Sequence, residues 1–139
     1  MAAKKSPRPP QTPAEIKKEF SKTIQQLSYS RYKWQTWQDF TELAALSIAQ
    51  ATAYSEEREE TYMRTIGRYT HKEAQLIPKL LALTIQALEI KHHDFLGEMF
   101  MELELGSKWH GQFFTPYHLC LLMAELTVSK EQFENNNIV

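Results

Sequence analysis

A chain of 139 residues has room for one domain, and 42% hydrophobic residues, 24% charged residues and only four glycines favour a helical, water-facing fold over turn-rich sheet. The single cysteine, Cys120, excludes an internal disulfide and a cysteine-based zinc site, and no apolar run reaches the roughly 18 residues that span a bilayer, so the expectation is a cytoplasmic protein with no membrane partner. The net charge of −1 conceals an asymmetry: residues 1 to 33 carry eight Lys or Arg against Glu15 and Glu19, a balance of +6 that leaves −7 for the remainder.

The basic end is therefore the candidate contact for phosphates, with a merely solvated leader as the alternative. Residues 1 to 11, MAAKKSPRPPQ, hold too little apolar surface to offset the entropy of ordering and predict a disordered leader. Thr12, Pro13 and Glu15 then have the form of a helix start, with Thr as N-cap, Pro at the first helical position and Glu closing a capping box. That helix runs to Leu27 with Ile16, Phe20, Ile24 and Leu27 on one stripe. Residues 34 to 54 contain no Gly or Pro, and Trp37, Phe40, Ala44, Ser47, Ile48 and Ala51 recur at helical spacing.

The run EEREE at 56 to 60 reads as the first turns of a third helix, because carboxylates suit the positive end of a helix dipole; its stripe is Tyr62, Ile66 and Tyr69. Residues 74 to 90 are apolar on two seams, Leu76/Leu80/Leu83/Ala87 and Ile77/Leu81/Ile85/Leu88, which predicts a helix buried on most sides, with Pro78 either kinking it or marking its start. Asp94 caps a further helix to Leu105 that Gly106 ends. A loop over 107 to 114 follows. Thr115 and Pro116 repeat the N-cap and first-position signature and open an amphipathic helix of Leu119, Leu122, Met123 and Leu126, and residues 135 to 139 read as a turn feeding a strand. The predicted fold class is thus all-α, a compact bundle of about five to six helices. It divides into a leader at 1 to 11, a helical domain at 12 to 106 and a closing segment at 107 to 139.

Chemistry-bearing patterns are few. None of the five histidines has a partner at the i, i+4 spacing that sets two ligands on one helix face, His92 and His93 point apart, and His118 and Cys120 lie on different faces. Cys120 falls inside an amphipathic helix and reads as a small core residue, and no G-x-S-x-G elbow offers a nucleophile. The four glycines are too far apart for a phosphate-cradling loop, which excludes a self-contained nucleotide-binding fold. Tyr29, Arg31, Tyr32, Lys33, Trp34 and Trp37 mix aromatic and basic groups that can stack on bases and hold phosphates; exposed connection residues followed by helix core is the favoured reading, because Trp34 and Trp37 also fit the helical stripe. In Gly111, Gln112, Phe113, Phe114, Thr115, Pro116 and Tyr117, two adjacent Phe sit in a polar loop, where they need another surface or a ligand to cover them. The helix start beside Thr115 suits a carboxylate or phosphate.

The stretch HDFLGEMFMELELGSKWHGQFFTPYHLCLLMAEL resembles the methylation subunits of type I restriction-modification systems and related phage or plasmid adenine-N6 DNA methyltransferases. Their shared pattern is an Asp-x-x-Gly helix, a loop, then Gly-(Gln/Glu)-Phe-(Phe/Tyr)-Thr-Pro and an amphipathic helix ending in Leu-Met. Asp94, Gly97, Gly111, Gln112, Phe113, Phe114, Thr115, Pro116, Leu122 and Met123 match it. The resemblance implies S-adenosylmethionine as cofactor, bound only in a longer protein, with Gln112, Phe113, Phe114, Thr115 and Pro116 as its contacts. It implies DNA as partner, with Lys17, Lys18, Lys22, Arg31 and Lys33 of the basic end as candidate contacts, together with the rest of a methyltransferase or its restriction-modification subunits. The glycine-containing cofactor loop and the Asn/Asp-Pro-Pro-aromatic motif of that family do not occur in these residues, so the expectation is a helical N-terminal part that does not catalyse alone. A standalone helical protein that binds or modulates such a complex, and a small DNA-binding module, are the rival expectations.

Overall fold

Three helix starts are built from side chains that accept backbone N–H groups otherwise left without partners. Thr12 Oγ1 accepts from Glu15 N at 3.2 Å and Glu15 Oε2 accepts from Thr12 N at 3.1 Å, closing the expected capping box of α1 (Pro13–Leu27). Thr70 and Glu73 form a second box around α4 (His71–Ala74). Asp94 Oδ1 accepts from Gly97 N at 2.9 Å at the start of α6 (Phe95–Glu102). A Cβ at Gly97 would stand 2.0 Å from Asp94 Oδ2, so a larger residue at this position would require the capping carboxylate to shift.

The computed structural model describes residues 12 to 105 and 115 to 128, and the regular structure among them is entirely helical. The remaining elements are α2 (Lys33–Thr52), α3 (Glu56–Ile66), α5 (Leu76–Ile90) and α7 (Tyr117–Thr127). The all-α bundle is as the periodicity predicts. The leader, the loop at 107 to 114 and the closing turn and strand lie outside the described residues.

α5 is the central element, packed against α1, α2, α4 and α6, while α3 lies along α2. Ile16, Phe20, Ile24 and Leu27 of α1 are all fully buried, the stripe the sequence predicts. Phe20 stands at the centre, with ring centroids 6.1 Å from Trp37, 5.7 Å from Phe40 and 5.4 Å from Phe95, each pair edge to face. Such pairs add about 0.5 to 1.5 kcal/mol beyond the area they bury. Pro78 falls in the first turn of α5, where its missing N–H has no intrahelical partner to lose, so it marks the helix start.

Several expectations need correction. The buried face of α2 is centred on Thr36, Phe40 and Leu43 and includes Asp39, whereas Ile48 and Ala51 face water. An apolar count alone misplaced that face because two of its members are polar. α5 is not buried on most sides, since Ile85 and Leu88 are exposed. α6 stops at Glu102 rather than running to Leu105: Leu105 N donates to Phe100 O and Glu104 N to Met101 O around Glu104 at φ 55°, a Schellman termination with Glu104 in the left-handed position. Thr115 is not an N-cap. α7 begins at Tyr117, with Pro116 at the cap in an extended conformation (ψ 138°) and no side chain capping it.

Candidate functional site

Of the residues the resemblance nominates for cofactor contact, Gln112, Phe113 and Phe114 lie outside the described residues, and Thr115 and Pro116 are exposed. Leu119 N and Cys120 N both donate to Pro116 O, so the N–H groups of Tyr117 and His118 precede the first intrahelical bonds of α7. That end is chemically suited to a carboxylate, the group at the methionine end of S-adenosylmethionine. α7 itself contributes no buried residue. Leu119, Leu122, Met123 and Leu126 form one apolar row and Tyr117, Cys120, Leu121 and Ala124 another, leaving little of the helix polar. Cys120 is exposed, not a core residue; its thiol lies 3.6 Å from Thr115 O.

The nominated basic residues separate into two kinds. Lys18 and Lys22 are exposed on α1, one helical turn apart. Lys17 instead bridges Glu98 and Glu102 of α6 at 2.9 Å each, and these hydrogen bonds, Glu102 first, hold its pKa above the ordinary lysine value. Lys33 Nζ donates to Leu103 O at 3.1 Å, capping the end of α6. Arg31 donates to Leu27 O at 2.6 Å, pairs with Glu73, and lays its guanidinium 4.1 Å from the centroid of the Tyr69 ring. The Arg31 bond holds the Glu73 carboxyl below its usual range.

An open cleft of about 210 Å³ lies where α1 begins, α5 ends and α6 begins, walled by Pro13, Ala87, Ile90 and Phe95 and edged by Lys17, Lys91, His93 and Glu98. His93 Nδ1 lies 2.5 Å from Lys91 O, and its Nε2 is 3.9 Å from Glu98 Oε2. With Lys17 already shared between two carboxylates, the arrangement clasps α6 onto α1. Among the described residues no three His, Cys, Asp or Glu side chains gather to hold a metal ion, and no helix is long and apolar enough to cross a membrane.

The strongest buried polar feature is one the sequence reading missed. Asp39, on the core face of α2, accepts from Tyr69 Oη at 2.7 Å, Gln35 Nε2 at 2.9 Å and Arg68 Nη1 at 3.2 Å. Burial first, and then the bond to Asp39, raise the Tyr69 pKa above the ordinary tyrosine value. An acid set between Trp37 and Phe40 was the available signal, because a polar group on a core face requires a partner; Tyr69 lies 30 positions away and carries no mark of the pairing. The network is satisfied within itself and ties α2 to the turn between α3 and α4. No family model, curated protein or solved structure matches the chain.

Proposed function

We propose that the chain is the helical N-terminal part of an S-adenosylmethionine-dependent DNA adenine-N6 methyltransferase, contributing DNA and cofactor contacts without catalysing alone. The observation that carries this reading is α7: a helix apolar along two rows and without a buried residue requires cover. The methyltransferase-like motif at 111 to 116 leads directly into it, and in that family the helix start so placed lies near the cofactor's methionine end. Thr115, Pro116 and the first N–H groups of α7 would hold the cofactor's carboxylate, together with Gln112, Phe113 and Phe114. The cofactor supplies the transferable methyl group.

The same exposed rows favour a second reading, a helical protein whose α7 inserts into a methyltransferase or restriction complex made of other chains. Reading the coding DNA beyond the Val139 codon separates the two. A frame that continues into a glycine-rich loop and an Asn/Asp-Pro-Pro-aromatic motif supports the first reading. A stop codon there removes the first and leaves the second, which then requires a methyltransferase subunit to co-purify with the native protein.

A further inference from the structure

Resting on the DNA contacts of that reading and giving them a place and a kind of strand, the corner between α1 and α2 presents an unusual surface. Tyr29 is 97% exposed, Tyr32 87% and Trp34 52%, three large aromatic side chains within six residues. Single exposed apolar groups are ordinary on protein surfaces, but a cluster marks a contact. The support beneath them is fixed. Between Tyr29 and Tyr32, Arg31 turns inward to Leu27 O, Glu73 and the Tyr69 ring, and the Trp34 ring packs edge-on against Phe100 at 6.0 Å.

Charge identifies the partner. Lys18, Lys22 and Gln26 follow one another at four-residue steps along the outer side of α1, and Tyr29 stands two residues past the helix end, so two exposed lysines lie on the helix that runs into the aromatic corner. Of the carboxylates on these elements, Glu73 pairs with Arg31, Glu19 pairs with Lys79 while also lying near enough to Lys22 to have its pKa lowered by it, and Glu15 accepts from Thr12 N at the start of α1. A track of cations ending in flat rings on a rigid support matches a polyanion that carries flat faces of its own. Tyrosine, with two rotatable bonds, loses little entropy on stacking. We propose that this surface binds a single nucleic-acid strand, with Lys18 and Lys22 on phosphates and Tyr29, Tyr32 and Trp34 under bases.

The test is fluorescence anisotropy with the full chain, no cofactor, and a labelled oligothymidylate of about 20 nucleotides beside a duplex of equal length. The single strand should bind more tightly than the duplex. Tyr29→Ala with Tyr32→Ala should weaken it on the order of 10-fold or more. Lys18→Gln with Lys22→Gln should reduce the slope of log affinity against log salt by about 1.4, two phosphate contacts at about 0.7 each. All four side chains are exposed, so these variants should keep the wild-type melting temperature. Absence of binding at low salt, equal affinity for the duplex, or an unchanged affinity in the double tyrosine variant would overturn the proposal. None of these outcomes bears on the reading frame beyond Val139, so the two proposals fail separately.

Discussion

Replacing Asp39 by Ala removes the acceptor on which Tyr69, Gln35 and Arg68 converge. The Tyr69 hydroxyl is buried, and stranding it costs about 1 to 3 kcal/mol of desolvation. Gln35 and Arg68 reach water and can be resolvated, so each adds about 0.5 kcal/mol. The sum is about 3 kcal/mol, which for a helical domain near 100 residues lowers Tm by roughly 12 °C. Asp39→Asn keeps the shape and one acceptor and should cost about 1 to 2 kcal/mol. Urea unfolding followed by circular dichroism measures both, and a double-mutant cycle with Tyr69→Phe should return a coupling of about 1 to 2 kcal/mol. The alkaline limb has a definite sign. Because the folded protein holds the Tyr69 proton more tightly than the unfolded chain, the associated stability is complete below the unfolded value of about 10 and is lost as pH rises above it. Tyr69→Phe should remove that loss. Stabilities of Asp39→Ala and Asp39→Asn both within about 1 kcal/mol of wild type would refute the assignment of Asp39 as the anchor of this junction.

Phe20→Ala, which deletes the ring shared by three edge-to-face pairs, should cost about 3 to 5 kcal/mol in the same assay, whereas Leu122→Asp with Leu126→Asp on α7 should change stability by no more than about 0.5 kcal/mol per site. Glu104→Gly should stabilise the chain by about 1 kcal/mol, because glycine adopts the left-handed conformation of the α6 terminus without strain; an unchanged or lowered Tm argues against that termination. Glu73 has its pKa depressed by Arg31, so its contribution is present above the ordinary value of 4.5 and is lost as pH falls through the lower folded value. Arg31→Gln should flatten that acid limb, read as Tm against pH between neutrality and acid.

The parts of the fold legible in the sequence were those set by local rules. The α1 stripe could be read because each apolar residue recurs among charged neighbours, and the Thr12 box because its two halves are three residues apart. The EEREE run likewise marks its own helix start. Termini governed by backbone geometry were less visible: Glu104 in a left-handed position looks like any surface glutamate, and the more obvious Gly106 drew the boundary outward. The basic candidates divided for the same reason. Nothing adjacent to Lys17, Arg31 or Lys33 announces that they are engaged by Glu98 and Glu102, by Glu73, and by the Leu103 carbonyl, partners 42 to 85 positions distant. Lys18 and Lys22 carry the same charge and face water.

The arrangement around Phe20 also sets an order of assembly. Its rings come from α2 and from Phe95, and α1 is otherwise covered by α5, so α1 cannot be enclosed until residue 95 has left the ribosome. At about 5 to 20 residues per second, the 75 positions between Phe20 and Phe95 leave the apolar stripe uncovered for roughly 4 to 15 seconds. During that interval Ile16, Phe20, Ile24 and Leu27 have at most α2 to cover them, so the order of synthesis holds this apolar face open until α5 and Phe95 arrive.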